Sequence, residues 1–155
     1  MSTAESQTFN AAVVEKFGQE VTVKEIDLPQ PGPNQALVKV LTSGICHTDL
    51  HALEGDWPVK PEPPFVPGHE GVGEVVELGP GEHDVKVGDI VGNAWVWSAC
   101  GTCEFCITGR ATHCPDAEYG GYTQNGSFGE YMLDATRYDA PIPEGDNYLE
   151  EAPIL

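Results

Sequence analysis

Two short segments of this chain concentrate groups that bind metal ions. Gly44-Ile45-Cys46-His47-Thr48-Asp49-Leu50-His51 and Pro67-Gly68-His69-Glu70 together carry one thiol, three imidazoles and two carboxylates. Zinc takes sulfur, imidazole nitrogen and carboxylate oxygen, and a catalytic zinc keeps three protein ligands and one open position. Cys46 and His69 are the leading ligands; Asp49 and Glu70 are candidates for a third ligand or for orienting one from behind. A cysteine or histidine taken alone is more often a packed residue than a ligand, so the assignment gains weight from a second cluster.

That cluster is Cys100-x2-Cys103-x2-Cys106-x7-Cys114. Four thiolates so close in sequence can close a tetrahedron around zinc. With all four positions filled no place remains for a substrate, so the role is structural. Gly101 and Gly109 supply the backbone freedom a tight wrap needs. A ferredoxin-type iron–sulfur run also ends in Cys-Pro, as Cys114-Pro115 does here, but its last gap is about three residues rather than the seven found here. A nucleic-acid zinc ribbon fits neither the spacing nor the charge. His113 could compete with Cys114 for the metal.

The elements around these residues must position them. Ala11–Lys16 and Val21–Asp27 read as a hairpin, with Met1–Asn10 a loose arm before it. Three prolines make Leu28–Pro33 a stiff connector. Gln35–Thr42 alternates as a strand and delivers Cys46 at its exit. His47–Leu53 reads as a short helix ended by Gly55, whose free N–H groups favour negative charge near Cys46. Trp57–Pro67 holds five prolines; it is a plain surface loop or a rigid strap leading to His69. Gly71–Gly79 continues as a strand, so its Gly-Val-Gly is no dinucleotide fingerprint. His83 reads as solvated. Val85–Val91, with Gly88-Asp89, reads as a turn into another strand, Gly126–Leu133 and Tyr138–Ile142 read as late strands, Pro143-Glu144-Gly145 as a turn, and Glu150–Leu155 as the start of a helix.

Composition bounds the rest. A chain of 155 residues with 40% hydrophobic content is expected to be one globular domain, and 18 Gly with 13 Pro favour a turn-rich, mainly β architecture. Seven basic against 25 acidic residues give a net charge of −18, which repels nucleic acid and anionic membranes. Such charge is tolerable where salt screens it, within about 3 Å at 1 M, so adaptation to high salt is expected. No apolar run reaches the ~18 residues of a membrane span, and Met1–Asn10 lacks the apolar stretch of a secretory signal. Five cysteines, four of them clustered, suit metal ligation in a reducing compartment, the cytoplasm.

Gly44–His51, Gly55-Asp56-Trp57, Gly68-His69-Glu70-Gly71, Ser98-Ala99-Cys100-Gly101, Gly109-Arg110 and Cys114-Pro115 resemble, in order and spacing, the zinc-dependent medium-chain alcohol dehydrogenases of the yeast and bacterial tetrameric type. The resemblance runs from about Ala11 to Leu155. It implies a mainly β fold over residues 1–155, a GroES-like, partly open β-barrel with short helices and a zinc lobe at about 95–118. It implies that Thr48 and His51 relay a proton, that Asp49 orients His69, that Glu70 is an exchangeable ligand, and that Trp57 and Trp95 narrow a pocket for small primary alcohols. NAD or NADP would be the cofactor in the complete, homo-oligomeric enzyme.

Two further expectations follow from the resemblance. The family's third zinc-binding cysteine follows an Ala-Pro-Ile-Leu like Ala152–Leu155, and the Rossmann nucleotide-binding domain is missing from these residues. The chain by itself is therefore expected to bind zinc without turning over alcohol. The alternative is a non-enzymatic GroES-like module that binds structural zinc and serves assembly.

Overall fold

The computed structural model describes residues 7–143 and 145–155. In chain order the elements are β1 (Thr8–Val13), β2 (Thr22–Asp27), β3 (Gln35–Ser43), α1 (His47–Glu54), β4 (Gly71–Leu78), β5 (Ile90–Asn93), β6 (Val96–Ser98), α2 (Glu104–Ile107), β7 (Glu118–Tyr119), β8 (Tyr131–Ala135), β9 (Ala140–Pro141) and α3 (Tyr148–Glu151). The described residues are mostly β, with short helices and no closed barrel among them.

Alternation explains the strands. Phe9, Ala11 and Val13 face the interior of β1 while their neighbours face out, and β1 pairs antiparallel with β2 from Thr8 opposite Asp27 to Val13 opposite Thr22. The hairpin therefore begins earlier than the expected Ala11, and Thr8–Asn10 belong to it rather than to a loose arm. Phe9 is the reason: its ring is part of a buried cluster with Ala11, Val13 and Val66. The start of the expected arm, residues 1–6, lies outside the described residues.

The larger sheet has five strands in the order β8-β3-β4-β5-β9, all neighbours antiparallel. Ala36, Val38, Val75, Val91 and Met132 form its buried core; each large apolar side chain there contributes about 1.5–3 kcal/mol relative to exposure. Pro141 sits on β9, an edge strand, where its missing N–H costs no ladder bond. The Gly-Val-Gly of β4 lies within a strand, as expected. A Cβ on Gly73 would stand 2.5 Å from the Lys39 carbonyl oxygen, so the glycine serves close strand approach.

Several expectations shift. The strand expected over Gly126–Leu133 is confined to β8, because residues 126–128 spend their N–H groups elsewhere: Gly126 on Val66 O, Ser127 on Gly68 O and Phe128 on Pro67 O. The strand expected after the Gly88-Asp89 turn is Ile90–Asn93, while that over Tyr138–Ile142 shortens to Ala140–Pro141. The β6–β7 pair went unforeseen. His83 is not merely solvated: its Nε2 faces Gly79 O at 2.9 Å and its Nδ1 faces Thr136 Oγ1 at 3.0 Å. The turn at Pro143–Gly145 includes Glu144, which is outside the described residues. At the end of the chain Asn147 caps α3, its Oδ1 accepting the Leu149 N–H at 3.2 Å.

One polar cluster interrupts the interior. Asp134 is 2% exposed, and its Oδ1 accepts from Asn93 Nδ2 at 3.1 Å. Asp134 Oδ2, both Asp139 carboxylate oxygens and Asn93 Oδ1 are buried without a hydrogen-bond partner.

The strap that carries His69 is pinned on both sides. Val14 and Phe65 exchange backbone hydrogen bonds of 2.9 and 3.2 Å. Asn125 Oδ1 accepts from Val66 N–H at 2.9 Å, and the Tyr122 hydroxyl donates to Val59 O. Val14, Ala52, Phe65 and Tyr122 form a buried cluster beneath it, which joins the strap to α1.

Candidate metal centre

α1 is capped by the residue expected to bind metal. Cys46 has extended backbone (φ −115°, ψ 163°), and its Sγ accepts the Thr48 N–H at 3.4 Å. Asp49 completes the cap by accepting the Cys46 N–H at 2.9 Å. A thiol at this position meets the positive end of the helix. The Thr48 hydroxyl and then the Thr48 N–H hold Cys46 below the usual thiol range, outweighing the opposing effect of burial. Cys46 is therefore the cap, and Thr48, half-buried at the start of α1, serves its sulfur.

Asp49 also reaches the strap. Its Oδ1 accepts the Gly68 N–H at 3.2 Å and lies 3.4 Å from His69 Nδ1. One buried carboxylate therefore bonds Cys46, Gly68 and His69, fixing both segments in one frame. Burial disfavours the charged imidazole, but the Asp49 hydrogen bond and charge, aided by Cys46, raise the His69 pKa above its ordinary value. With Nδ1 turned to Asp49, Nε2 is the nitrogen left for a ligand.

Glycine makes the approach possible. Gly68 has φ +99°, and a Cβ there would strike the Phe128 ring at 2.5 Å. A Cβ on Gly44 would stand 2.1 Å from Glu70 Oε2, so the Glu70 carboxylate occupies space that only glycine leaves open. Ligand atoms of Cys46, His69 and Glu70 all lie within 4.8 Å of one another. Sulfur, imidazole and carboxylate at that separation are a donor set suited to zinc.

The second cluster assembles in a separate loop built from α2 and a 3-10 turn at Ala111–His113. The four sulfurs of Cys100, Cys103, Cys106 and Cys114 lie within 4.8 Å of one another. Cys103 and Cys106 sulfurs are 3.5 Å apart, Cys100 and Cys106 sulfurs 3.9 Å. A zinc tetrahedron with bonds of about 2.3 Å has edges of about 3.8 Å, so the spacing fits. The N–H groups of Thr102 and Cys103 draw the Cys100 thiol down to about 6, while burial and the Cys103 thiol push Cys106 up to about 12. Four thiolates this close need a cation between them. His113 stays out of the group: it is exposed, with its ring 6.0 Å from that of Phe105.

Aromatic rings wall the first centre. Trp95 meets His69 edge to face at 5.3 Å and Trp57 at 6.4 Å, so the two expected pocket residues do converge. Tyr119 stacks on Trp95 at 4.6 Å, and Tyr122 lies 5.6 Å from Trp95 and 5.8 Å from Trp57. Trp57, Pro58, Val59, Trp95, Tyr119 and Tyr122 line an apolar cavity of about 310 Å³. The sequence reading missed both tyrosines; their only signal was an aromatic on either side of Gly120-Gly121. His51 is half-buried on α1, stacked on Trp57 at 5.0 Å.

Comparison with known proteins supplies context. Residues 32–144 match the alcohol dehydrogenase GroES-like domain. The chain is 52% identical to an alcohol dehydrogenase of a Moraxella species and 49% identical to one of Geobacillus stearothermophilus, in each case over 94% of this chain and 43% of the relative. It thus spans less than half the length of these relatives. Among solved structures it is similar to a cobalt- and zinc-bound thermostable alcohol dehydrogenase from Pyrobaculum aerophilum, at a TM-score of 0.85 and 29% identity over 94% of this chain and 44% of that one. It is equally similar, at a TM-score of 0.85 and 29% identity over 97% of this chain and 42% of the other, to an E. coli alcohol dehydrogenase in complex with NADH.

Proposed function

Because the chain belongs to the alcohol dehydrogenase GroES-like domain family, we propose that residues 1–155 form the catalytic domain of a zinc-dependent enzyme that oxidises small primary alcohols to aldehydes with NAD or NADP. The observation that carries this is the convergence of Cys46, His69 and Glu70 within 4.8 Å beside an apolar cavity. Cys46, His69 and the exchangeable Glu70 hold the catalytic zinc. Cys100, Cys103, Cys106 and Cys114 hold the structural zinc in a lobe at about 95–118.

The catalytic zinc supplies Lewis acidity toward the alcohol hydroxyl. The chain's own residues do the rest. Asp49 holds Nδ1 of His69, so that the ring presents Nε2 in a fixed orientation. Thr48, whose N–H bonds the Cys46 sulfur, receives on its hydroxyl the proton leaving the alcohol and passes it toward His51, from which it reaches solvent. Trp57, Trp95, Tyr119 and Tyr122 exclude water and limit the substrate to a small alcohol or aldehyde. The nucleotide-binding domain comes from the remaining length of the enzyme and decides NAD against NADP. The complete enzyme is a cytoplasmic homo-oligomer.

Zinc counting during a chelator time course tests this. Roughly two zinc ions per chain are expected, one exchanging well before the other. A single, tightly held zinc would instead favour the non-enzymatic assembly module.

A further inference from the structure

The loop that leaves α1 turns back on the helix. Gly55 ends α1 in the left-handed conformation (φ 61°, ψ 37°), its N–H bonded to His51 O at 2.9 Å. A Cβ there would stand 2.6 Å from the Phe17 ring, so the reversal depends on glycine. It returns Asp56 to the side of His51: Nδ1 of His51 lies 3.0 Å from both Asp56 carboxylate oxygens. The next residue, Trp57, lays its indole on the same imidazole at 28° between planes, and the His47 ring stands 4.9 Å from it. His51 is therefore held at one edge by a carboxylate and on its face by an indole. No lysine or arginine pairs with Asp56 among the described residues.

We infer that Asp56 is a positioning residue for the proton relay, fixing neutral His51 as the Nδ1–H tautomer. A carboxylate only accepts, so a neutral imidazole facing it must donate from Nδ1. That leaves the Nε2 lone pair as the single acceptor on His51. An unconstrained imidazole side chain favours the opposite tautomer, with the proton on Nε2, and would then present a donor where a relay needs an acceptor. Asp56 thus gives the relay its direction. It also balances the imidazolium that forms when a proton arrives. Because Trp57 both stacks on His51 and walls the apolar cavity, the ring orientation is tied to the substrate pocket. As a surface ion pair this contact adds little to stability; its effect is on orientation. The role in a relay rests on the proposed function above, whereas the tautomer does not.

The test is nitrogen-15 NMR of the zinc-loaded chain at about pH 8.5, well above the ordinary histidine range, with His51→Gln to identify the signals. The wild-type His51 ring is expected to carry its proton on Nδ1. Asp56→Ala should shift it to predominantly Nε2–H, and Asp56→Asn, whose side-chain oxygen still accepts, should keep it on Nδ1. A wild-type ring protonated on Nε2, or an Asp56→Ala ring unchanged, would overturn the inference. The wild-type measurement decides by itself should a variant fail to fold. Zinc counts on the same samples keep the two readings apart: loss of the exchangeable zinc site with Nδ1–H retained would sink the proposed function and leave this inference standing.

Discussion

Asp49 Oδ1 stands 3.4 Å from His69 Nδ1, and both side chains are buried. The same carboxylate takes the N–H groups of Cys46 and Gly68, so the helix start and the end of the strap share one anchor. An asparagine keeps the size but turns one oxygen into a donor that meets a backbone N–H. Asp49→Asn is expected to weaken zinc at the Cys46–His69 centre by about 10–100-fold while the four-cysteine site keeps its ion. Competition with a zinc-binding dye reads both sites; equal weakening at the two would remove the assigned role.

Gly44 and Glu70 compete for one volume. Gly44→Ala places a methyl group 2.1 Å from where Glu70 Oε2 lies, which should cost about 1–3 kcal/mol and push the carboxylate away from Cys46. Combining it with Glu70→Ala should recover much of that loss, since of the three contacts only the one to the residue 70 Cβ, at 3.0 Å, then remains. Urea unfolding of the single and double variants measures the coupling, and additive losses would contradict it.

Asp134 and Asp139 predict a pH dependence. Burial, and then the neighbouring Asp139 carboxylate, lifts Asp134 well above its ordinary 3.8. Burial lifts Asp139 as well. The folded chain therefore binds more protons than the unfolded chain from about pH 4 upward. Their contribution is fully present below the unfolded value and is lost as pH rises through the folded ones. Asp134→Asn removes a charge and offers Asp139 a donor. It should flatten this slope and raise stability near pH 8 by about 1–3 kcal/mol. Urea midpoints at about pH 5, 7 and 9 check this; an unaltered slope would refute it.

Charge predicts a response to salt. Against 25 acidic residues the chain has seven basic ones, and among the described residues lysine pairs only as Lys24–Glu15 and Lys86–Asp89. Repulsion should dominate in dilute buffer, so the melting temperature is expected to climb as KCl increases from about 0.1 to 2 M. Equal stability across that range would remove the idea of adaptation to high salt.

Legibility in the sequence followed how local each constraint is. The four-cysteine spacing could be read directly, because all its geometry lies within one loop. The Cys46–His69 pairing could be read from residue types but not from spacing, and it gained weight from the second cluster and the resemblance, since no spacing rule reports that a proline-rich strap closes through Val14–Phe65 and Tyr122–Val59 bonds. Tyr119 and Tyr122 escaped notice because their rings meet Trp95 only after the chain folds over the strap. Strand ends were misplaced where backbone N–H groups serve the strap rather than a ladder, as at Gly126–Phe128. His83 could not be read as bonded because Thr136, one of its two partners, is remote in sequence.

The edge-to-face contact of Trp95 with His69 has an optical consequence. Indole emission is sensitive to an adjacent imidazole and to its charge, and Trp95 also stacks on Tyr119 at 4.6 Å. Loading the centre with a cation, or filling the neighbouring cavity, therefore alters the light this indole emits. The chain carries its own fluorophore at the point where chemistry is proposed, so occupancy can be followed in real time without a label.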